Sequence, residues 1–321
     1  MRTAYGRLQI ANWTVRGKGR VVSDTRSAED TSDVGPFVAR SRVSRRLVEL
    51  REQNNLTTDA VVAHTGWSSS KLTRIERSEV TIQPLELRAL LSFYGVEDED
   101  EVATLARLSQ TSRSRQWYSK HRLHKTYQQF VAFETEAAVL NASQLLFFPG
   151  LLQTEEYAKE ITALSMRRRP DDAGVLARVE LRMDRQQAFQ ARLGKRNPPH
   201  FNAMIDEAVL RRPVGGRDCL RRQLDHLLDL AADGSTYSIS VTPLDLVHHS
   251  GLGGSFELLQ FEHSHDDVLF TEGAAGVDSL TTDPVETERF RGIVSDLRTY
   301  GLGGEEALEM IRSIRAGLPR P

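Results

Sequence analysis

The sequence predicts two unlike domains: an N-terminal all-α domain of five short helices, and a C-terminal α+β domain with a small, mostly antiparallel sheet. Three observations carry this. From Phe37 to Ser112, apolar residues recur at helical intervals, with Ser, Thr, Gly and Pro marking where helices start and stop. Beyond residue 128 the chain reads as helices, then a cluster of short alternating or β-branched runs, then closing helices. The third observation is charge. The 321 residues sum to a net charge of only −2. Residues 38–125 nevertheless hold fifteen Lys and Arg against eleven Asp and Glu, whereas residues 126–321 hold twenty-one against twenty-nine. A basic front is joined to an acidic back, and the near-neutral total conceals it.

Residues 1–36 lack periodicity and large apolar side chains, and predict a flexible basic tail; an arm reaching into a nucleic-acid groove is the sharper alternative. The first helix starts at Phe37, with Val38, Val43, Leu47 and Leu50 on one face and arginines at 40, 42, 45, 46 and 51 on the others. Thr57 caps a second helix over Thr58–Thr65 that stops at Gly66, and Ser68 caps a third over Ser69–Arg77. Pro84 opens a fourth, which Gly95 ends. The acidic run Asp98-Glu99-Asp100-Glu101 suits the N-terminus of a fifth, reaching about Ser112. A basic, partly aromatic linker follows at 113–128, with Trp117 packing on the body. In residues 129–321, helices are expected at Phe130–Ser143, Thr154–Met166, Asp172–Leu193, Asp218–Ala232, Pro284–Tyr300 and Glu305–Arg315. Strands are expected at Phe201–Ile205, Tyr237–Thr242, Ser255–Phe261 and Val268–Thr271.

The informative stretch runs from Leu56 to Arg77: a capped helix, a turn containing Gly66, and a second capped helix. That is the helix-turn-helix layout. Leu56, Val61, Leu72 and Ile75 form the apolar wedge between the helices, and Trp67 reads as a core plug. The outer face of the second helix offers small or cationic donors suited to a groove roughly 12 Å wide. An ion pair between Glu76 and Arg74 within the domain is the alternative to a groove-facing role for them.

These residues resemble the lambda-repressor-like (Cro/Xre-type) helix-turn-helix family in the Leu56-Thr57 start, Ser68, and Thr73-Arg74-Ile75-Glu76-Arg77. Val62, Thr65 and Ser78 depart from its pattern, which favours alanine, leucine and glycine there. The resemblance implies double-stranded operator DNA as a partner and a homodimer as the reading unit. It places Thr57 and Thr58 on the phosphate backbone. Ser68, Ser69, Ser70, Lys71, Thr73 and Arg74 fall on the recognition helix and its cap, and Arg77 and Arg46 become peripheral phosphate contacts.

A second series runs along the body: Glu134-x-Glu136-Ala137, Phe148-Pro149-Gly150-Leu151-Leu152-Gln153-Thr154-Glu155-x-Tyr157-Ala158, Arg182-x-x-Arg185-Gln186, Asp206-Glu207-Ala208, Gln223-Leu224-x-His226-Leu227 and His249-x-Gly251-x-x-Gly254. It is similar to the large actinobacterial family of helix-turn-helix regulators with an antitoxin-like C-terminal domain. That resemblance implies a cytoplasmic, nucleoid-associated transcriptional regulator whose body binds a small toxin-like protein or a ligand. Gln153, Tyr157, Arg185, Asp206, Glu207 and His249 are the candidate residues. On its own terms the segment from Pro149 reads more simply as a turn entering a helix capped at Thr154.

Other classes find little support. The lone Cys219 excludes a disulfide framework or a multi-cysteine metal site. No run approaches a membrane helix, the richest, Leu145–Leu152, being broken by Pro149 and Gly150. Arginines and Lys18 interrupt any signal-peptide core in residues 1–22. His248-His249 with Glu257, and His263-x-His265-Asp266-Asp267, lack metalloprotease spacing, and Asp206-Glu207 makes a poor acid–base pair. Cys219 beside Arg217 and Arg221 has no placed base, although the arginines would lower its pKa. The chain is therefore expected to be neither an enzyme nor a protein dependent on a metal or cofactor.

Overall fold

The computed structural model describes residues 34–319 apart from 115, 233, 248, 262–266 and 274–276. The tail at 1–33, and the pairings invoking His248, His263, His265 or Asp266, lie outside the described residues.

The head holds α1 (Pro36–Gln53), α2 (Thr58–Thr65), α3 (Ser69–Glu76), α4 (Pro84–Phe93) and α5 (Glu99–Thr111). Val43, Leu47, Val61, Leu72, Ile75 and Leu90 make up much of its core, each no more than 2% exposed. Two buried hydroxyls satisfy backbone carbonyls: Ser44 donates to Ile75 O in the last turn of α3 at 2.6 Å, and Ser109 to Ile82 O in the loop before α4 at 2.6 Å. Asp98 caps α5 by accepting from the N–H of Asp100 and Glu101.

The segment expected as a linker contains a 3-10 turn over Trp117–Lys120, with Tyr118 buried, and the start of α6 (Lys125–Glu136). The body continues with β1 (Val139–Gln144), α7 (Glu155–Met166), α8 (Ala173–Leu193), β2 (His200–Asp206), α9 (Glu207–Arg211), α10 (Arg217–Ala231) and β3 (Tyr237–Thr242). It closes with β4 (Phe256–Gln260), β5 (Val268–Thr271), β6 (Ser279–Thr281), α11 (Pro284–Tyr300), β7 (Leu302–Gly303) and α12 (Gly304–Gly317). The sheet is not the small, mostly antiparallel one expected. It has seven strands in the order β6-β5-β4-β1-β2-β3-β7, with β1, β2 and β3 parallel at its centre and antiparallel flanks.

The difference traces to β1, which takes over the last residues of the helix expected over Phe130–Ser143. Because β1 precedes α7 and α8, the first half of the body is built from parallel crossovers rather than from helices followed by strands. The strand is buried on both faces, so no alternation betrays it. Its polar residues are absorbed by a ladder across the sheet. Asn141 Nδ2 donates to Gln260 Oε1 at 3.0 Å, and Asn202 Nδ2 to Asn141 Oδ1 at 2.9 Å.

One face of the sheet carries the larger core, where Phe130, Leu140, Phe201, Leu224, Phe270 and Ile311 pack under α6, α10 and α12. Against the other face α11 packs Val294 and Leu297 on Met204, Phe256, Leu258 and Leu269. Head and body join at α1. Its Phe37 belongs to the body core and meets the Phe133 ring at 4.2 Å, while Val43 and Leu47 belong to the head. The Glu136 carboxylate, at the end of α6, accepts from the N–H of Phe37 and of Val38 at 2.7 Å each. A side chain of the body thus caps a helix of the head.

Candidate nucleic-acid interface

Local chemistry sets the helix-turn-helix. Thr57 accepts from the N–H of Ala60 and starts α2; Gly66, at φ 69°, ends it in the left-handed region that favours glycine. Ser68 accepts from the N–H of Lys71 and starts α3. Ser78 stands where the resemblance favours glycine and takes φ 57°, so the departure costs strain rather than the turn itself. Trp67 is half-buried against the head core.

Thr57, Thr58, Ser68, Ser69, Ser70, Arg74 and Arg77, on α2, α3 and their caps, are all exposed, and Thr73 is half-buried. Two helix N-termini on a surface rich in hydroxyls and arginine suit phosphate contact. The remaining two candidates are engaged within the protein. Lys71 Nζ lies 2.6 Å from Glu86 and 4.2 Å from the Trp67 ring centroid, and Arg46 is held by Glu101 at 2.6 Å and Glu49 at 3.1 Å. Their hydrogen-bonded carboxylates hold the Arg46 and Arg51 guanidiniums above their ordinary pKa.

The alternative Arg74–Glu76 pair is replaced by two others. Glu76 joins Arg51 at 2.7 Å, tying α3 to α1, and Arg74 approaches Glu79 at 3.8 Å. Glu76 faces inward with Ile75's side of the helix, which α1 covers. Sequence reasoning also missed Glu79, which meets Lys125 of α6 at 3.2 Å, and the cap provided by Glu136. Glu136 stands in a motif quoted above, but no local pattern identifies a partner about a hundred residues away.

The six body candidates fall in three places. Gln153 and Tyr157 both meet Phe148, the first by a bond from Nε2 to its carbonyl at 2.6 Å, the second ring to ring at 5.0 Å. Gln186 holds the carbonyls of Gly150 and Gln153, and Gln223 holds that of Leu152. Arg185 grips Glu134 through Nε at 2.8 Å and Nη2 at 2.5 Å, with Tyr127 on Nη1. Gln153, Gln186, Gln223 and Arg185 each satisfy a buried group, whereas the Tyr157 hydroxyl is buried without a hydrogen-bond partner. Burial pushes the Tyr157 hydroxyl up to about 12. At the second place, Asp206 caps α9, while Glu207 accepts from the N–H of Leu244 and pairs with Arg211; those contacts hold its carboxyl below the usual range. At the third, His249 lines an open pocket of about 630 Å³ with Leu246, Val247, Ser250, Asp296 and Tyr300.

The catalytic candidates come apart in the structure. Burial raises the Cys219 thiol to about 11, against the lowering expected from neighbouring arginines, because Arg221 pairs with Asp218 and the nearby charges include Glu156 and Glu160. Glu257 is buried in β4, where burial and the neighbouring Glu134 push its carboxyl up to about 8. Among the described residues no cluster of three or more His, Cys, Asp or Glu is placed to hold a metal ion. Nor is any helix among them long and apolar enough to cross a membrane.

Comparison with protein families matches residues 42–105 to a helix-turn-helix domain and residues 127–313 to a domain of unknown function (DUF5753). No curated protein and no solved structure matches. The first match supports a DNA-binding regulator. The second spans more than half of the 321 residues, and the chain therefore belongs to the family of that domain of unknown function, DUF5753, with a helix-turn-helix domain preceding it.

Proposed function

We propose that the protein is a sequence-specific transcriptional regulator that reads an operator as a homodimer, with α3 in the major groove and a small protein or ligand acting on the body. The observation that carries this is the exposed surface on which two capped helix N-termini stand beside Arg74 and Arg77. A single recognition helix reads only a few base pairs, so two related by symmetry are what a specific site requires. Selection of bound genomic fragments by the purified protein, followed by gel shift on the recovered site, tests the reading. R74A is expected to weaken specific binding about 10–100-fold while folding normally, the range for losing one base or phosphate contact. T58V is expected to weaken specific and non-specific DNA alike. Unchanged affinity in folded R74A removes α3 from the interface.

A second reading, an antitoxin-like protein that sequesters a small partner encoded nearby, is favoured by one observation. Val247 and Tyr300, which line the His249 pocket, are 79% and 60% exposed, and Leu244 and Leu252, near Val247 in sequence, are 63% and 70% exposed. Apolar residues gathered in this way mark an interaction surface more often than single ones do. Co-purification with the neighbouring small protein, abolished by V247D, would place sequestration first; failure to co-purify at any ionic strength rejects it.

A further inference from the structure

A cleft of about 230 Å³ lies where the head meets the body. Arg40 of α1, Ser78 and Glu79 beyond α3, Tyr118 of the 3-10 turn, and Lys125 and Gln128 of α6 are among its lining residues. Both halves of the molecule thus contribute to one polar space. Two cations face a single acid across it.

The Arg40 guanidinium is the unusual group. It lies 4.9 Å from the Phe37 ring centroid, and its Nε is buried without a hydrogen-bond partner. Glu136, a neighbouring carboxylate, has both oxygens committed to the N–H groups of Phe37 and Val38. A buried donor left unsatisfied destabilises the fold unless a ligand supplies an acceptor. Lys125 is only partly neutralised, by Glu79 at 3.2 Å, and α6 begins at that lysine with no side-chain cap on its N-terminus. A planar fork, a mobile ammonium and neutral donors from Ser78, Tyr118 and Gln128 form a donor set for a tetrahedral oxyanion. The volume is below that of drug-sized pockets, which suits a phosphoryl group on a small body.

We propose that this cleft binds a small molecule carrying a phosphoryl group, held by Arg40 and Lys125. The position gives it a consequence for DNA binding, which rests on the function proposed above. Glu79 is shared between Lys125 and Arg74, the latter 3.8 Å away on the recognition helix. An oxyanion that takes Lys125 leaves Glu79 to Arg74 alone, and Arg74 is then less available to DNA.

Isothermal titration of the full chain with inorganic phosphate and with pyrophosphate, in chloride buffer at constant ionic strength and without DNA, tests the site. Saturable binding is expected, weakened at least tenfold in R40Q and in K125Q, with thermal melts showing that both variants fold. Absence of saturable binding of either probe, or equal binding by folded wild type and variants, overturns the proposal. A gel shift at matched ionic strength then tests the consequence. Phosphate is expected to weaken operator binding by wild type but not by K125Q, and an unchanged wild-type shift at saturating phosphate overturns that consequence. A protein that binds phosphate but no DNA retains the site and loses the functional reading. One that binds DNA but neither probe does the reverse.

Discussion

Gly35 decides how firmly the head is tied to the body, and replacing it with alanine sets two effects of opposite sign against each other. Its backbone, at φ −73° and ψ 163°, is open to any residue. On backbone grounds alone G35A would gain about 0.4–1 kcal/mol by restricting the unfolded chain. The added Cβ, however, falls 2.2 Å from Glu136 Cδ and 2.5 Å from its Oε1. A carboxylate normally yields at little cost, but this one is pinned by two 2.7 Å bonds from Phe37 and Val38, both buried. Moving it strands two N–H donors at about 1–3 kcal/mol each. Part of that returns as the carboxylate, which burial has pushed up to about 7, regains water. The balance is a net loss of about 2–4 kcal/mol, or on the order of 5–10 °C in a thermal melt. The diagnostic is the double-mutant cycle with E136A. With the carboxylate gone the new methyl group meets nothing from it, so G35A in the E136A background is expected to be neutral or mildly stabilising. Equal loss in both backgrounds, or no loss in the first, would refute the capping argument.

Three other outcomes follow from the body. R185A, which removes one partner of an ion pair whose side chains are each 4% exposed, is expected to cost about 3–5 kcal/mol in chemical denaturation, with much of the loss recovered in R185M/E134L. Glu257 has a folded-state pKa raised from 4.5 to about 8, so between those values the folded protein keeps a proton that the unfolded chain releases. Its contribution to stability is therefore lost as pH rises through that window; E257Q should melt progressively higher relative to wild type from pH 5 to pH 8.5, and parallel melting curves would contradict this. Cys219, buried and raised to about 11, should not react with a disulfide reagent at pH 8 in the native protein, and should release one equivalent after denaturation.

The head was legible because its information is local. Thr57, Gly66 and Ser68 each act within three or four residues, and the bounds of α2 are those read from the sequence. In the body, β2 to β5 lie where β-branched and alternating runs placed them. What was hidden is non-local. β1 carries Asn141, Ser143 and Gln144 into the interior, and only pairing with β2 and β4 makes those residues strand-like. β6 and β7, at three and two residues, are too short to produce a pattern. At the candidate interface, the exposure of the hydroxyls and of Arg74 followed from helix geometry. That Lys71 and Arg46 are spent on Glu86 and Glu101 depends on where α4 and α5 return, and no spacing encodes that.

The spent cations change what the basic front means. Fifteen Lys and Arg over residues 38–125 suggest a strongly electrostatic reader. Arg46, Arg51 and Lys71 nevertheless each close an ion pair at 2.6 or 2.7 Å between two helices. Their charge holds α1, α3, α4 and α5 together and is largely neutralised before DNA arrives. On the exposed recognition surface Arg74 is shared with Glu79, and Arg77 is paired with no carboxylate among the described residues. Non-specific affinity grows with the number of phosphates neutralised. If α3 enters the groove as proposed, a head with so few uncommitted cations there would gain little from phosphates alone and would rely on helix N-termini and groove contacts. Weak non-specific attraction favours discrimination, because competing genomic sites are overwhelmingly non-specific. Under the proposed function it would also make the shared arginine worth regulating: where few cations carry the load, withdrawing Arg74 through Glu79 would change a large share of the total.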